Sequence, residues 1–385
     1  MTNAREVERW LPSQEARDLL ALTRDIASRE LAPRAAEAEE RREFPRDLFR
    51  LLGQAGLLGL PYPEEYGGGG QPYEVYLQVV EELSRAWLTV GLGTSVHCLS
   101  CHGLAAFGSD EQRDRWLPDM VGGDLLGAYC LSEPHSGSDA AALRTRAERT
   151  ADGYRLSGTK AWVTHGGVAD FYLVLARTGE DGPKGISAFL VDGAAPGLSG
   201  ASPERKMGLR ASVTSQVVLD GVEVPVERRL GAEGEGFRVA MAALDAGRLG
   251  IAAGAVGVAQ AALDVAVEYA GQRTAFGRPI GDFQGVSFLI ADAAAGIEAA
   301  RQLYLAAARL KDARLPFGRQ AAMAKLVATD TCMRVTTDMV QVLGGAGYVE
   351  DYPVERYMRE AKVLQIVEGT NQIQRMVIAR SLVQR

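Results

Sequence analysis

Residues 154–166 read Tyr154-Arg155-Leu156-Ser157-Gly158-Thr159-Lys160-Ala161-Trp162-Val163-Thr164-His165-Gly166. At the start of this stretch apolar and polar residues alternate, because Tyr154 and Leu156 are interleaved with Arg155 and Ser157. Successive side chains of a strand point to opposite faces of a sheet, so the alternation indicates a half-buried β-strand. The stretch therefore predicts a sheet in the middle of the chain.

Further strand signals follow. Residues 171–176 and 186–191 are short apolar runs, and glycine and proline recur between them. Asp220-Gly221, followed by Val222 and Val224 around a glutamate, is a pair typical of a hairpin turn. We predict a compact antiparallel β domain over residues 126–232.

Helical patterns precede this domain, over residues 1–125. Apolar residues recur there near the helical spacing of 3.6, and a four-glycine run at 67–70 indicates a turn. No Lys-Ser or Lys-Thr follows the glycines, so they do not form a phosphate-binding loop. The apolar residues that carry the helical pattern are Leu19, Leu22, Ile26, Leu31, Leu48, Leu51 and Leu52.

Helical patterns return over residues 233–385. Val256, Leu263, Val267 and Ala270 share one predicted helix face, and alanine is abundant. Small residues let long helices approach closely, so we predict a helical bundle that also buries surface against partner subunits.

Composition limits the function classes. The chain has 385 residues, 47% apolar and 24% charged, with a net charge of −7. An acidic chain binds nucleic acid or anionic membranes poorly, so we expect neither partner. Residues 1–10 lack the apolar segment of a secretory signal, and we find no uninterrupted apolar run long enough to span a membrane. We therefore expect a soluble, cytoplasmic protein.

Two motifs have competing interpretations. His97-Cys98-Leu99-Ser100-Cys101-His102 contains the spacing of c-type haem attachment and four residues able to bind zinc. It is equally the pattern of a buried helix with small thiols, which we favour, so no metal is expected. Residues 344–347 are glycine-rich but do not match the nicotinamide-binding fingerprint.

Four segments, in this order, resemble the acyl-CoA dehydrogenase family of flavoproteins, and the similarity extends over nearly the whole chain. They are Tyr129-Cys130-Leu131-Ser132-Glu133-Pro134-His135-Ser136-Gly137-Ser138-Asp139, Gly158-Thr159-Lys160-Ala161-Trp162-Val163-Thr164-His165-Gly166, Arg273-Thr274-Ala275-Phe276-Gly277-Arg278-Pro279-Ile280, and Gln341-Val342-Leu343-Gly344-Gly345-Ala346-Gly347-Tyr348 with its continuation to Arg375.

This resemblance implies an N-terminal helical domain, a middle β domain and a C-terminal four-helix bundle, assembled as a homotetramer that is a dimer of dimers. It implies FAD as cofactor, an acyl-CoA as substrate and a trans-2-enoyl-CoA as product. Electrons would pass to an electron-transfer flavoprotein, as in fatty acid β-oxidation.

The resemblance also assigns site residues. Trp162 packs on the flavin and Thr164 reaches its reactive edge; two residues apart on a strand, they point to one side. Arg273 binds the FAD pyrophosphate across a subunit boundary, because its guanidinium is a fork of fixed donors. The full set of FAD contacts is Tyr129, Leu131, Ser132, Gly137, Ser138, Trp162, Thr164, Arg273, Phe276, Gln284, Gln341, Gly344, Gly345, Thr370 and Gln372.

Glu368 is the implied catalytic base, which removes the α-proton while flavin N5 takes the β-hydride. Exclusion of water would raise its pKa towards that of the substrate. Some relatives place the base before an arginine on an earlier helix, where this chain has Gly247, a residue without a side chain. Thr370 is also a plausible N-cap of the last helix. The residues expected to contact the substrate are Ser138, Asp245, Arg248 and Gly369.

Other functions remain open at this point. A related flavin enzyme could use oxygen as an oxidase or monooxygenase, or act on an acyl group held by a carrier protein. A non-catalytic helical binding protein that kept the fold is a further alternative. Val367, where many relatives have tyrosine, leaves the width of the pocket open.

Overall fold

The computed structural model describes residues 9–383, and its elements run from helices to a sheet and back to helices, as predicted. The predicted fold class is thereby confirmed, whereas the boundaries 1–125, 126–232 and 233–385 stay predictions. Residues 1–8, which carry most of the argument about a secretory signal, lie outside the described part.

The helices before the sheet pack around one apolar core. Ser13 caps the first of them by accepting a hydrogen bond from the Ala16 amide. Of the apolar residues picked from the sequence, Leu31 and Leu48 are buried, but Leu22 is exposed because Leu20 and Thr23 face the core instead. These helices are α1 Gln14–Ile26, α2 Ala32–Arg41, α3 Arg46–Gln54, α4 Tyr73–Ala86, α5 Leu88–Phe107 and α6 Asp110–Val121, with a π-helical turn at Ala27–Leu31.

The middle of the chain forms a mainly antiparallel sheet with the strand order β6-β7-β3-β2-β4-β5-β8, and β1 pairs with β4 in parallel. Tyr154 and Leu156 are buried while Arg155 and Ser157 are exposed, which confirms the predicted alternation. The strands are β1 Gly127–Cys130, β2 Arg146–Arg149, β3 Gly153–Thr164, β4 Phe171–Arg177, β5 Ile186–Asp192, β6 Leu198–Gly200, β7 Thr214–Pro225 and β8 Arg229–Leu230.

Strands β4 and β5 are buried on both faces. Leu173 and Leu175 of β4 face the helical core, whereas Tyr172 and Val174 face a second core inside the β domain. This double burial explains why the two strands are continuous apolar runs without polar alternation.

The predicted hairpin turn at Asp220-Gly221 is wrong. Both residues lie inside β7, where the register against β3 shifts between Leu156 and Gly158. Gly221 has φ +66°, so the pair forms a β-bulge that bends the strand without ending it. Asp-Gly pairs readily adopt left-handed backbone conformations, which occur in hairpin turns and in β-bulges alike. The sequence alone therefore does not distinguish the two structures.

The helices after the sheet form the bundle, joined by a short hairpin of β9 Thr274–Ala275 and β10 Arg278–Pro279. Gly318 at the start of α9 lies beside Asp245, near the start of α7, whereas Gly281 just before α8 lies beside Ala270, near the end of α7. Thus α9 runs parallel to α7, and α8 runs antiparallel to both. The helices are α7 Gly236–Gln272, α8 Gln284–Asp312, α9 Gly318–Leu343, α10 Gly345–Tyr348, α11 Val354–Leu364 and α12 Asn371–Val383.

Helix α7 is the core helix of this bundle. Its length and hydropathy would suffice to cross a membrane, which the sequence-based search for apolar runs did not anticipate, but 78% of its most apolar window is buried inside the protein. Of the face predicted for it, Val256, Leu263 and Ala270 are buried, and Val267 is exposed near the C-terminal end.

The His97–His102 segment lies within α5. Cys98 and Cys101 are buried free thiols, as in the buried-helix interpretation. Among the described residues, no group of three or more His, Cys, Asp or Glu side chains is arranged to hold a metal ion.

A buried ionic network ties the N-terminal helices to the bundle. Glu81 on α4 is fully buried and forms salt bridges to Arg9 at 2.7 Å and to Arg301 of α8 at 3.0 Å. Tyr304 donates to the same carboxylate. Burial alone would raise the pKa of Glu81, but the charges of Arg9 and Arg301 outweigh burial and hold it at about 2.

We predict that Glu81→Gln lowers the free energy of unfolding by about 3–5 kcal/mol, because two buried guanidinium groups lose their common counter-charge. Chemical denaturation at neutral pH measures this loss. Since the pKa of Glu81 is depressed, its contribution is complete above the ordinary glutamate pKa of 4.5 and disappears as the pH falls towards about 2.

Glu298→Gln is the matched control. It removes another carboxylate from Arg301, but that one is 54% exposed, so the expected cost is about 0–1 kcal/mol. Equal destabilisation by the two variants would contradict a special role for the buried network.

Candidate active site

Glu368 lies in a short loop between α11 and α12. Glu368 and Gly369 both adopt left-handed backbone conformations, with φ of 52° and 89°. A non-glycine residue in this region is strained and persists only where its surroundings hold it. Thr370 then caps α12, accepting a hydrogen bond from the Ile373 amide at 3.3 Å, which confirms the predicted N-cap.

The carboxylate of Glu368 points into the protein. Both of its oxygens are buried, and neither has a hydrogen-bond partner among residues 9–383. A Cβ atom placed on Gly247 would lie 2.2 Å from one of these oxygens. The carboxylate therefore occupies the space that any side chain at position 247 would need.

The surroundings change the acidity of this carboxylate. Burial raises the pKa of Glu368 to about 7, and the positive charges of Lys325 and Arg248 keep it from rising further. The direction agrees with the expectation from the sequence, since a desolvated carboxylate holds its proton more tightly.

Lys325 of α9 holds the loop in place. Its ammonium donates to the Gly369 carbonyl at 3.0 Å and to the Asn371 side chain at 2.9 Å, while Gln374 donates to the same carbonyl at 2.8 Å. Sequence reasoning missed Lys325, although a lysine between Ala324 and Leu326 on an alanine-rich helix is a detectable signal of a buried charge with a partner.

Asp245 and Arg248 stand on the first turns of α7 beside this loop. Arg248 is buried and donates to Asp245 at 2.5 Å, and its Nε atom has no hydrogen-bond partner among the described residues. Asp245 is partly exposed, so this pair extends from the buried Arg248 guanidinium to the protein surface.

A small cavity of about 30 Å³ lies next to Gly247, on the side of α5. Leu99 lines it and also approaches Gly247, so the cavity begins beside the Glu368 carboxylate. The remaining lining residues are Pro61, Tyr62, Tyr73, Ser95, Cys98, His102, Ala246 and Lys311.

The β domain approaches the same region through Tyr129 on β1. Its hydroxyl donates to the Ala240 carbonyl of α7 at 3.3 Å. Burial raises the pKa of Tyr129, and the nearby negative charge of Glu368 raises it further. The two groups are therefore electrostatic neighbours.

The loop that follows β1 is tied to β3. The Ser132 carbonyl accepts the Ala161 amide at 2.9 Å, and Glu133 pairs with the fully buried Lys160 at 2.8 Å. Leu131 is buried and Ser132 is half-buried, whereas Gly137 and Ser138 are exposed.

Trp162 sits on a bulge of β3, where the register against β7 shifts between Lys160 and Val163. Its φ is 60° and its side chain is 66% exposed, although the flanking Ala161 and Val163 are buried. Thr164 is half-buried on the same side. The exposed indole of Trp162 can pack on the face of an isoalloxazine ring, and hydroxyl groups can hydrogen-bond to the polar edge of that ring. These residues therefore fit FAD.

Six of the predicted FAD contacts lie elsewhere, at the opposite end of the bundle. Arg273 follows α7, Phe276 is 96% exposed in the adjoining hairpin, and Gln284 begins α8. Gln341, Gly344 and Gly345, all exposed, mark the end of α9.

Within one chain these two groups of residues are not brought together. Gly247 and Arg273 are twenty-six residues apart on α7, which at about 1.5 Å per residue is about 39 Å. Lys325 and Gln341 on α9 are separated by about 24 Å in the same direction. Gln372, in contrast, lies on the first turn of α12 beside Glu368.

Three family models match successive parts of the chain. The models of the acyl-CoA dehydrogenase N-terminal, middle and C-terminal domains match residues 13–124, 128–222 and 234–383. An acyl-CoA dehydrogenase of Bacillus subtilis (strain 168) is 47% identical over 372 residues, which cover 96% of this chain and 98% of the relative.

Two solved structures share the fold closely. Butyryl-CoA dehydrogenase from Megasphaera elsdenii superimposes with a TM-score of 0.95 and 41% identity, covering 98% of this chain and 100% of the other. A chain in a structure described as the electron transferring flavoprotein of Acidaminococcus fermentans has the same TM-score and 42% identity, over 98% of this chain and 100% of that chain. The protein belongs to the acyl-CoA dehydrogenase family, and is thus an FAD-dependent oxidoreductase that acts on acyl-CoA.

Proposed function

We propose that the protein dehydrogenates short-chain acyl-CoA thioesters to trans-2-enoyl-CoA, with Glu368 as the base. The observation that carries this proposal is the buried Glu368 carboxylate, which has no hydrogen-bond partner in the described chain and lies beside a cavity. Such a group keeps its lone pairs free for a substrate proton and, with a pKa of about 7, binds that proton near neutral pH.

The proton transfer follows from this geometry. Deprotonated Glu368 takes the α-proton of the thioester, and the electron pair of the broken C–H bond forms the new double bond. FAD, when bound, supplies the acceptor for the hydrogen that leaves the β-carbon as hydride. Protonated Glu368 then faces Lys325 and Arg248, whose charges favour loss of the proton and restore the base.

The preference for short chains rests on the cavity. At about 30 Å³ it has room for roughly two water-sized groups. The side chains of Tyr62 and Tyr73 line the cavity and limit its size, and both hydroxyls donate hydrogen bonds to backbone carbonyls. The likeness to a butyryl-CoA dehydrogenase supports the same range of chain length.

We further infer that each FAD site combines residues of two chains. Tyr129, Ser132, Trp162, Thr164 and Glu368 of one copy would meet the opposite end of the bundle of a second copy. The distance of about 39 Å along α7 separates Arg273 from Glu368 of its own chain by more than the length of a dinucleotide. The remaining predicted contacts follow the same division between the copies: Leu131, Gly137, Ser138, Thr370 and Gln372 on the first, and Phe276, Gln284, Gln341, Gly344 and Gly345 on the second.

Exposed apolar side chains favour such an assembly. Phe276, Phe288, Tyr348 and Met376 are all exposed on the C-terminal helices and their connections, as expected for surface that another copy covers. The family resemblance points to a homotetramer built as a dimer of dimers. We propose an electron-transfer flavoprotein as the electron acceptor and a cytoplasmic location.

We predict that anaerobic butyryl-CoA bleaches the flavin absorbance of the purified protein and that Glu368→Gln abolishes this bleaching while FAD remains bound. Glutamine keeps the shape of the side chain but cannot accept the α-proton, so turnover should fall by at least about 10³-fold. Stopped-flow absorbance at the flavin band measures the rate.

Glu360→Gln is the matched control. Glu360 is also buried, and burial raises its pKa to about 8, but it lies on α11 beside Arg356, away from Gly247. It should leave bleaching unchanged. Bleaching that survives in Glu368→Gln would place the base elsewhere, and a wild-type flavin that no acyl-CoA reduces would contradict the proposed reaction.

A second prediction concerns the shared site. Glu368→Gln chains and Arg273→Met chains are each expected to be inactive as homo-oligomers. Co-assembled at equal amounts, they should recover on the order of a quarter of wild-type activity, because one kind of mixed site carries both intact residues.

The control pairs Glu368→Gln with Arg248→Met. Arg248 lies on α7 beside the Glu368 loop of its own chain, so both residues would belong to the same half of each site. Every site in this mixture would therefore carry one of the two substitutions, and no recovery of activity is expected. Recovery in neither mixture would show that Arg273 serves the FAD site of its own chain or none.

A third prediction concerns Lys325. Lys325→Met removes the positive charge that lowers the pKa of Glu368 most. That pKa should therefore rise above about 7, and the acid limb of the kcat/KM profile should move to higher pH. The variant should also lose about 1–3 kcal/mol of stability, because the Gly369 carbonyl and Asn371 lose their shared donor.

Difference infrared spectroscopy of the carboxyl stretch, assigned with Glu368→Gln, measures this titration directly. Lys325→Arg, which retains the charge, should keep the pKa near that of the wild type. An unchanged titration in Lys325→Met would exclude Lys325 as the group that sets the acidity of the base.

A further inference from the structure

The cavity beside Glu368 has an apolar beginning and a charged end. Leu99, Ala246 and Gly247 line the part next to the carboxylate. The lining also includes His102 of α5 and Lys311 of α8. Tyr73 lies between Ala246 and Lys311, because its hydroxyl donates to the Ala246 carbonyl and its ring faces the Lys311 ammonium. An acyl chain that entered beside Glu368 would therefore point its terminal carbons at Lys311.

The two phenols of the cavity offer no free donor. The Tyr62 hydroxyl donates to the Cys98 carbonyl at 2.5 Å, and the Tyr73 hydroxyl donates to the Ala246 carbonyl at 3.1 Å. These hydrogen bonds fix the positions of both rings in the lining of the cavity. The ammonium of Lys311 is the charged group that remains among the lining residues.

Lys311 packs on an aromatic face and forms no direct ion pair among the described residues. Its Nζ atom lies over the Tyr73 ring, 4.2 Å from the ring centroid. Within residues 9–383 this ammonium makes no hydrogen bond and no salt bridge, although Asp312 follows it in the chain and binds the Tyr73 amide instead. A cation over an aromatic ring at the C-terminal end of a helix is stabilised by both.

The neighbouring histidine adds no second charge. Burial and, to a lesser extent, the positive charge of Lys311 together lower the pKa of His102 to about 4, so His102 is neutral near pH 7. Burial also lowers the pKa of Lys311 below its usual value. The end of the cavity therefore carries one partly desolvated cation.

We propose that Lys311 is the specificity-determining residue that ends the acyl cavity and restricts the enzyme to short, unsubstituted acyl chains. Each additional methylene would have to cover the ammonium and displace the water that solvates it, and no carboxylate of the described residues forms a salt bridge with Lys311 to compensate; the charge of nearby Asp312 offsets this cost only in part. Covering a charge with apolar atoms is unfavourable, so longer chains bind less well. This inference rests on the proposed dehydrogenase function.

The test compares kcat/KM for butyryl-, hexanoyl- and octanoyl-CoA in wild type and Lys311→Met. Methionine has a similar length without the charge, so the ratio of hexanoyl- to butyryl-CoA should rise by at least about tenfold. Titration of the flavin spectrum in a Glu368→Gln background should show the same change in relative binding without turnover. Lys311→Gln, neutral and polar, provides the same comparison if Lys311→Met does not fold.

Two controls accompany it. Lys311→Arg retains the charge and should retain the preference for butyryl-CoA, and Lys184→Met, on the exposed surface of the β domain, should not change the profile. An unchanged chain-length profile in Lys311→Met would overturn the proposal. So would a wild type that prefers the mono-CoA thioester of a dicarboxylic acid, since Lys311 would then bind an anion.

These failures are separable from failure of the proposed function. If no acyl-CoA bleaches the wild-type flavin, both ideas fall together. If butyryl-CoA bleaches it and Lys311→Met has the wild-type profile, only the role of Lys311 is wrong.

Discussion

The contact between the Glu368 carboxylate and Gly247 governs the arrangement of this active site. The carboxylate can be buried there only because α7 presents no side chain at that position. Its burial then requires a strained loop, and the strain requires Lys325 and Gln374 to hold the Gly369 carbonyl. The acidity of the base, its access to a substrate and the cavity beside it all follow from this contact.

The long helix α7 separates the two groups of residues that we propose bind one FAD. Its early turns carry Gly247 and Arg248 beside the base, and its last turn leads to Arg273, about 39 Å away. If both sets of residues bind one FAD, as we propose, a bundle that places them at opposite ends cannot complete the flavin site alone. In this interpretation an isolated chain lacks a complete FAD site because of the length of α7, and not because of a particular interface contact.

Local pattern predicted the order of elements, because strand alternation and helical spacing are properties of neighbouring residues, whereas the candidate site residues came from the resemblance of four segments to a known family. It failed where tertiary packing decides: Asp220-Gly221 forms a bulge, and Leu22 and Val267 face outwards. Lys325 and Lys311 were missed because their importance depends on residues remote in sequence. Only the fold brings the first to the Glu368 loop and the second to the Tyr73 ring.

The double burial of β4 and β5 has a consequence for how the chain can be divided. Leu173, Leu175, Ile186 and Leu190 face the helical core, while their neighbours fill the core of the β domain. An excised β domain would expose this apolar face and would associate with itself or with other proteins. The sheet is therefore a structural layer that contributes to the helical core as well as to its own.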